Sequence, residues 1–217
     1  MRTLAEANTV TSKDVNYSPA NPPQSAMLVA DAQGTYYWDF EASNDQIAAL
    51  LPASLTKQKV YRAQEPSDAQ THTDIINGFN GGQALVVYSG HGNTNIWGGS
   101  IFSTDDAMAL TNGNKLPFVV VMDCLNGFFT VPQASGQSLA EALVKSPNGG
   151  AIASFASSGL TIPDGQHQMG QVMFNLLYGN PTTIPIGDAS RQSKAFTSDS
   201  DVRRTWILFG DPTMKIR

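Results

Sequence analysis

The sequence has little cysteine, and this scarcity excludes two classes of site. Cys124 is the one cysteine among 217 residues, so neither a disulfide within the chain nor a metal site built from several cysteines can form. The three histidines are His72, His91 and His167, and they lack the spacing of zinc-binding motifs such as HExxH. The sequence therefore disfavours a zinc enzyme and leaves a single thiol to be explained.

Charge and long apolar runs are also scarce. Charged residues make up 14% of the chain, the formal net charge is -5, and no basic run occurs, so nucleic acid is a disfavoured partner. No apolar run approaches the length of about 18 residues that a membrane-spanning helix needs. The N-terminus MRTLAEANTVTSKD lacks the apolar core of a signal peptide. We therefore expect either a cytoplasmic protein or a mature domain whose export signal is missing.

Apolar residues are plentiful, at 41%, and their spacing predicts an α/β fold. Residues 1–25 are polar and end in PANPPQS, which predicts a flexible leader or linker before a single domain over 26–217. Within that domain short apolar runs alternate with helical patterns, so we expect a mainly parallel sheet with helices on both faces. Strands are predicted at 26–32, 57–63, 84–89, 117–123, 149–157 and 206–209.

Helix starts are predicted from capping boxes, in which a serine and a Glu or Gln three residues later satisfy each other's backbone N–H groups. Ser43 with Gln46 predicts a helix that Pro52 ends, and Ser138 with Glu141 predicts another. Further helices are predicted at 74–79, from 103, at 171–179 and at 188–196.

The residues best suited to catalysis lie in two turns, each at the carboxyl end of a predicted strand. Ligand sites of parallel sheets form at this edge, near the point where the strand order reverses. His91 lies between Gly90 and Gly92, directly after the strand over 84–89, and a glycine backbone can turn sharply and approach a ligand closely. The alternative interpretation is a tight turn with an incidental histidine.

Cys124 follows the most apolar strand, over 117–123, and precedes the turn-forming pair Asn126-Gly127. Free cysteines are most often buried structural residues, but a thiol at the end of a strand can meet substrate, and a nearby histidine favours the nucleophilic thiolate. If the two strands are neighbours, His91 and Cys124 form the minimal arrangement for acyl transfer, which needs no cofactor. The sequence has no G-x-S-x-G elbow, which disfavours a serine hydrolase of that type.

At these residues the sequence resembles the gingipain family of cysteine peptidases, whose fold is similar to that of caspases. The resemblance implies a three-layer α/β fold, with a mainly parallel sheet between helices, and a cysteine endopeptidase activity. It covers residues 26–217 and rests on MLVADAQG (27–34), VVYSGHGN (86–93), WGGSIFSTDDAMALTNGNKLPFVVVMDCLNG (97–127), SLAEALV (138–144), GGAIAS (149–154) and LFGDPTM (208–214).

The resemblance implies a role for each matching residue. Cys124 attacks the scissile carbonyl and becomes the thioester, while His91 protonates the leaving amine and helps to activate water. The backbone N–H groups of Gly92 and Cys124 form the oxyanion hole. The family orients its histidine with a glutamate after the first strand; the matching position here is Gln33, and Asp31, two residues earlier, is the alternative.

The resemblance also suggests residues that contact substrate. Relatives that cleave after arginine or lysine use an acidic residue near the start of the first helix, where this chain has Asp45, and side chains from the loop after the strand over 149–157. In that loop Leu160 stands where arginine-specific relatives have tryptophan, and Asp164 follows. We expect Asp45 or Asp164 to bind a basic P1 side chain and Trp97 to line the cleft. The alternative for Asp45 is a charge that stabilises a helix N-terminus.

Partners and location follow from the same resemblance. It implies a peptide or protein substrate, structural calcium as an added ion, and a propeptide or N-terminal subdomain outside this chain. It also implies a bacterial protein that is exported or held at the cell surface. A sortase-like transpeptidase would use the same catalytic residues and pass the acyl group to an amine. An inactive peptide-binding relative is the third hypothesis, because Gln33 departs from the family glutamate.

Overall fold

The computed structural model describes residues 2–18, 22–34, 38–130 and 136–216. Short runs of β-branched and apolar residues form the strands, because such side chains pack well on a pleated surface. The strands are β1 (Ser25–Ala30), β2 (Thr56–Tyr61), β3 (Leu85–Ser89), β4 (Gly92–Asn93), β5 (Ile96–Trp97), β6 (Phe118–Met122), β7 (Ala153–Ser157) and β8 (Trp206–Phe209).

Helices occupy most of the connections between the strands. Among the described residues, no helix is both long enough and apolar enough to cross a membrane. A 3-10 turn covers Gly98–Ser100. The helices are α1 (Leu4–Asn16), α2 (Phe40–Leu50), α3 (Asp68–Gly81), α4 (Thr104–Ala109), α5 (Leu139–Lys145), α6 (Pro163–Tyr178), α7 (Ile186–Phe196) and α8 (Ser200–Thr205).

Six of the described strands form one sheet, in the order β2-β1-β3-β6-β7-β8. Every pairing is parallel except that of β8, which runs antiparallel to β7. The prediction of a mainly parallel sheet is confirmed. The two strands that precede His91 and Cys124 are also neighbours, as expected, because β3 pairs with β6 and Ser89 lies opposite Met122.

Helices cover both faces of the sheet, as predicted. On one face Ile47 of α2 and Phe174 of α6 pack against alternate strand residues such as Met122. On the other face Phe79 of α3 and Leu143 of α5 pack against the intervening ones. Each of these large apolar side chains contributes roughly 1.5–3 kcal/mol when it leaves water. Successive strand residues therefore face different cores, and this alternation decides where side chains point at the strand ends.

The segment 1–25, predicted to be a flexible leader, contains a helix. In α1, Thr3 and Glu6 form a reciprocal capping box, which satisfies backbone N–H groups that would otherwise lack partners. The helix docks on α5, where Lys13 Nζ donates to the carbonyl oxygen of Val144 at 2.8 Å. Residues Leu4–Asn16 are thus helical, while the flexible leader or linker and a domain boundary at residue 26 stay predictions.

Several helix boundaries also differ from prediction, among them that of α3, which begins at Asp68 and not at 74. Helix α2 begins at Phe40, because the Asp39 side chain accepts the backbone N–H of Ala42; Ser43 lies inside the helix and bonds back to the Asp39 carbonyl at 2.9 Å. Helix α6 begins at Pro163, eight residues before the predicted start at 171. The capping box at Ser138 is confirmed.

Candidate active site

Three turns meet at the carboxyl edge of the sheet, where β1, β3 and β6 end side by side. The first turn carries Asp31, the second His91 and the third Cys124. The strand order reverses here, because β2 lies on one side of β1 and β3 on the other, which is where parallel sheets form their sites. The sheet thus brings together three residues that are far apart in the sequence.

Asp31 holds the His91 ring. Its Oδ2 lies 2.9 Å from His91 Nδ1 and accepts the His91 backbone N–H at 3.2 Å. The carboxylate is 2% exposed, and its Oδ1 accepts from Arg62 Nη1 at 2.8 Å. Because a carboxylate only accepts, the ring proton is assigned to Nδ1, which leaves Nε2 as the acceptor in the neutral ring. Gln33, the other predicted orienter, is exposed and is not the residue that holds the ring.

The remaining surroundings of His91 leave part of the ring open to a ligand. Its side chain is 49% exposed, and the edge of Phe40 packs against it with ring centroids 5.2 Å apart. The backbone at Gly34 passes so close that a Cβ added there would lie 3.0 Å from His91 Cε1. A larger residue at 34 would crowd the ring, so glycine suits this position.

Cys124 is half-buried and lies at a sharp turn. Its Sγ is 3.4 Å from the carbonyl oxygen of Thr161 and 3.5 Å from the Thr161 backbone nitrogen. The next residue, Leu125, has φ of 67°, a left-handed conformation that costs non-glycine residues of order 1–3 kcal/mol and is often found at functional sites. The Leu125 backbone N–H donates to the Gly159 carbonyl at 3.2 Å, which helps to hold this conformation.

Asp123, which the sequence analysis did not single out, lies behind the turns of Gly92 and Cys124. A Cβ added at Gly92 would be 1.9 Å from Asp123 Oδ2, so only glycine fits against this carboxyl. Within the described part of the chain neither carboxyl oxygen has a hydrogen-bond partner of good geometry. Burial raises the pKa of Asp123 well above its ordinary value, and the backbone N–H of Asn126 opposes only part of this shift. Burial therefore favours the protonated form of this carboxyl beside the cysteine.

Asn126 is the second residue that was missed, since the sequence suggested only a turn former. Its side chain is fully buried, and Nδ2 donates to the carbonyl oxygens of Asn93 and, at 3.2 Å, Ile96. Its own carbonyl accepts the backbone N–H of Ala140 at 3.0 Å. One residue thus joins the cysteine turn to the β4–β5 hairpin, which carries Gly92, and to α5.

The predicted substrate-binding residues do not form one group. Trp97 is fully buried and stacks on Tyr88 with ring centroids 4.2 Å apart, so it belongs to the core and does not line a cleft. Asp45 pairs with Lys59 at 2.8 Å beside the edge strand β2. Asp164 lies in the first turn of α6 and accepts from Gln168. Leu160 is 72% exposed, one residue from the Thr161 backbone that flanks Cys124.

A small cavity opens between the starts of α2 and α6, on the face of the sheet that Met122 occupies. Its volume is about 10 Å³, which is room for about one water molecule. Neither Asp45 nor Asp164 lines it. The lining residues are Trp38, Phe40, Ser43, Ser89, Met122, Pro163, Gln166 and His167.

Metal ligands do not gather at this site. In the described ranges, no group of three or more His, Cys, Asp or Glu side chains has the arrangement to hold a metal ion. The expectation of structural calcium stays a prediction.

The sequence matches peptidase family C25 over residues 1–217. The chain belongs to this family, which is a family of cysteine peptidases. Gingipain R2 of Porphyromonas gingivalis is 30% identical over 208 residues, which cover 88% of this chain and 28% of that protein. The chain therefore spans less than a third of this curated relative.

Solved structures of family C25 members share the fold. The structure titled Arg specific cysteine proteinase gingipain R has a TM-score of 0.84 at 27% identity, over 100% of this chain and 54% of that one. The complex of Porphyromonas gingivalis RgpB pro- and mature domains has a TM-score of 0.86 at 25% identity, over 100% of this chain and 55% of that one. The expected gingipain-like α/β fold is confirmed.

Proposed function

We propose that this C25 chain hydrolyses peptide bonds with Cys124 as nucleophile and His91 as acid and base. The observation that carries the proposal is the contact of 2.9 Å between Asp31 Oδ2 and His91 Nδ1. His91 follows β3, and Cys124 follows β6, which pairs with β3. A histidine fixed in one tautomer by a buried carboxylate, beside a half-buried thiol, is the arrangement that activates a nucleophile.

The reaction would proceed in two stages. Cys124 first passes its thiol proton to His91 Nε2, and the thiolate attacks the scissile carbonyl carbon; the tetrahedral intermediate then expels the amine, which takes that proton from His91. Water next attacks the thioester and gives a proton to His91, and the collapse of the second intermediate releases the acid product and the Cys124 thiolate, which regains its proton from His91. The backbone N–H groups of Gly92 and Cys124 would bind the oxyanion in both stages, each contributing about 3 kcal/mol.

Asp31 is the orienting residue in this proposal, in place of Gln33. A carboxylate offsets part of the positive charge that the imidazole gains during catalysis, whereas an amide only orients the ring. A basic P1 preference is not part of the proposal, since the carboxylate of Asp45 is paired with Lys59 and Asp164 lies outside the cavity beside the site.

The test compares the wild-type protein with Cys124→Ala and His91→Ala on a fluorogenic peptide library that varies P1. We expect cleavage by the wild-type protein and a loss of at least about 10³-fold in both variants. In parallel, iodoacetamide at pH 6 should label Cys124 rapidly in wild-type protein and slowly in His91→Ala. Cleavage that survives in folded Cys124→Ala would rule the proposal out.

The same library separates the other two hypotheses. A sortase-like transpeptidase would give ligated product and faster acyl release when a glycine peptide is added as amine acceptor. An inactive peptide-binding relative would bind library peptides without cleaving any of them and would leave Cys124 slow to label.

We also propose that the protein is exported by a bacterium and that a pro-segment covers the site before maturation. The structural likeness to a complex of pro- and mature domains supports the second part. Cell fractionation with an antibody against this chain tests the location: recovery from the medium or the cell surface is expected, and recovery from the cytosol alone would contradict export.

A further inference from the structure

Arg62 continues a row of polar side chains that begins at His91. The strands β2, β1 and β3 are neighbours in this order, and Arg62, Asp31 and His91 lie one or two residues beyond their respective ends. The backbone N–H of Arg62 donates to the Ala30 carbonyl at 2.9 Å, which continues the parallel ladder past β2. The three side chains therefore meet at one edge of the sheet, with Asp31 in the middle.

The Asp31 carboxylate is held between His91 and Arg62. Its Oδ2 lies 2.9 Å from His91 Nδ1. Its Oδ1 accepts from Arg62 Nη1 and from the Ala32 backbone N–H, both at 2.8 Å. Because Oδ1 is bound on the Arg62 side, the carboxyl group cannot rotate without breaking that ion pair, and Oδ2 stays directed at Nδ1. Arg62 thus fixes the group that orients His91.

Arg62 is itself held from the other side by Asp68, the first residue of α3. Its Nε and Nη2 donate to the two Asp68 carboxylate oxygens at 2.7 and 2.8 Å, a bidentate geometry that suits the planar guanidinium and not an ammonium. Nη1 is left for Asp31. The bonds to Asp68 and Asp31 raise the pKa of Arg62 further above its ordinary value, so its positive charge is permanent.

Two glycines of the 3-10 turn cover the ion pair of Asp31 and Arg62. A Cβ added at Gly98 would lie 2.1 Å from Asp31 Oδ2, and one added at Gly99 would lie 2.2 Å from Arg62 Cζ. Gly99 also has φ of 65°, which favours glycine. The backbone here lies directly on the ion pair, whose Asp31 and Arg62 side chains are 3% and 24% exposed. Since water is largely excluded, the interaction between these charges is only weakly screened.

The charges in this row alternate in sign when His91 is protonated. The Asp31 carboxylate stabilises the imidazolium that forms when Cys124 gives up its proton. A carboxylate without a counter-charge would stabilise the imidazolium so strongly that its proton would pass slowly to the leaving amine. The Arg62 charge offsets part of the Asp31 charge, so the histidine can both take up a proton and release it.

Three further titratable groups surround the row, namely Tyr88, Asp123 and Cys124. Tyr88 donates to the His91 carbonyl at 2.6 Å, and burial, together with the Asp31 charge, raises its pKa well above the ordinary value. Burial likewise raises the pKa of Asp123. None of the three carries a positive charge in either protonation state, so they cannot replace Arg62 as the counter-charge of Asp31.

We propose that Arg62 is a positioning residue of the active site, which directs the Asp31 carboxylate at His91 and limits how firmly His91 holds its proton. This inference rests on the proposed peptidase function and adds a residue to the site. Arg62 acts through Asp31 and is neither a nucleophile nor a proton donor in the reaction.

The test separates the charge of Arg62 from its shape. Arg62→Gln removes the charge but keeps a hydrogen-bond donor, whereas Arg62→Lys keeps the charge without the planar fork. The His91 ring is titrated by NMR in a Cys124→Ala background, so that no thiol titrates and no turnover is needed. We expect the midpoint to rise by at least about 0.5 pH unit in Arg62→Gln and to stay within about 0.2 unit in Arg62→Lys. An unchanged midpoint in Arg62→Gln, or an equal rise in both variants, would overturn the proposal.

Arg191→Gln is the matched control, because Arg191 also faces a carboxylate, that of Asp188 at 3.9 Å, but on the exposed surface of α7. It should leave the His91 midpoint unchanged. Gly99→Ala provides a second route if Arg62→Gln does not fold: the added Cβ would displace the Arg62 guanidinium, and the midpoint should rise in the same direction. No rise in folded Gly99→Ala would then count against the role of Arg62.

Cleavage of one fluorogenic peptide tests the consequence for the reaction. Arg62→Gln should lower kcat by about 10–100-fold with KM within about threefold, and its pH profile should move to higher pH together with the His91 midpoint. Arg62→Lys should recover most of kcat. A fall in kcat with an unmoved pH profile would indicate a structural role alone and overturn the proposal. If the wild-type protein cleaves nothing although the midpoint moves, it is the peptidase function that fails.

Discussion

The Asp31 carboxylate makes three contacts in the site: it holds the His91 ring, accepts the His91 backbone N–H and pairs with Arg62. Asp31→Asn keeps the shape of the side chain but can present its NH2 group to Nδ1, which would favour the wrong ring tautomer. We expect kcat to fall by on the order of 10²-fold or more.

Gln33→Ala is the matched control, since this residue is exposed and close to Asp31 in sequence. It should leave kcat and KM within about twofold of wild type. Equal losses in Asp31→Asn and Gln33→Ala, measured with one fluorogenic peptide, would show that the orienting role is not held by Asp31.

Asp123 gives a pH dependence of stability with a definite sign. Its pKa is raised in the folded protein from an ordinary value of 3.8, so the folded state keeps a proton that the unfolded state releases. The stabilisation associated with this proton is complete below that ordinary value and is lost as pH rises through the folded pKa. Asp123→Asn cannot ionise and lacks this dependence.

Chemical denaturation of wild-type protein and Asp123→Asn between pH 4 and 8 measures this effect. We expect the free energy of unfolding of wild-type protein to decline relative to that of the variant as pH rises. Parallel curves over the whole range would mean that the carboxyl is not held in its protonated form.

Some residues of the site could be predicted from the sequence and others could not. His91 and Cys124 can be identified because each follows an apolar strand and has a side chain suited to acid–base or nucleophilic catalysis. The choice between Asp31 and Gln33 depends on side-chain direction after β1, and β1 ends at Ala30, so the alternation of a strand no longer applies. Asp123 and Asn126 function through contacts with distant turns, which leave no local pattern.

At the scale of elements, the β4–β5 hairpin depends on a single side chain from another turn. Asn126 Nδ2 donates to two hairpin carbonyl groups, those of Asn93 and Ile96. Asn126→Ala removes the partner of these two partly buried acceptors, which costs about 0.5–1.5 kcal/mol for each bond. It also removes the contact that holds the backbone around Gly92.

We expect Asn126→Ala to lower both the stability and kcat. The fall in kcat should be about 10–100-fold, because a shift of about 1 Å in the Gly92 backbone N–H would misplace a donor of the proposed oxyanion hole. Asn93→Ala changes a side chain of the same hairpin but keeps the carbonyl that Asn126 binds. The control should therefore retain most of the activity; a loss as large as that of Asn126→Ala would point to the hairpin in general.

Helix α1 lies in a segment for which the sequence predicted no helix. Burial on α5 lowers the pKa of Lys13 to about 8 from an ordinary 10.5, so the unfolded chain binds more protons between these values. Stability should therefore rise as pH increases from 8 to 10.5, and Lys13→Met should remove this rise. Thermal unfolding of both proteins across that range is the measurement, and an identical pH slope in the two would contradict the docking of α1.

Elements were predictable where a local signal exists and not where packing decides. The sheet strands follow apolar runs, and the Ser138 capping box places α5 correctly. The sequence of α1 is mostly polar and none of its residues is fully buried, yet its Lys13 ammonium donates to a carbonyl of α5. Helix α2 is capped by Asp39 and not by Ser43, since either residue type can cap a helix and the surrounding chain decides between them.

At the scale of the whole molecule, the fold follows from the alternation of strands and helices, while the site depends on strand order. Periodicity predicts a parallel sheet with two covered faces, and both are present. It does not predict that β1, β3 and β6 are consecutive neighbours. That order comes from crossover connections, and it alone brings Asp31, His91 and Cys124 to one edge.

The three strands that end at the site are not consecutive in the sequence, and this has a consequence for folding. The contacts that create it are remote in sequence, so the loop-closure entropy of two crossovers has to be overcome before any part of the site exists. We expect recovery of Cys124 alkylation to coincide with the slowest refolding phase seen by tryptophan fluorescence; earlier recovery would contradict this order. A nascent chain still on the ribosome would then carry an inert thiol, and the proposed peptidase would threaten neighbouring proteins only after its own folding is complete.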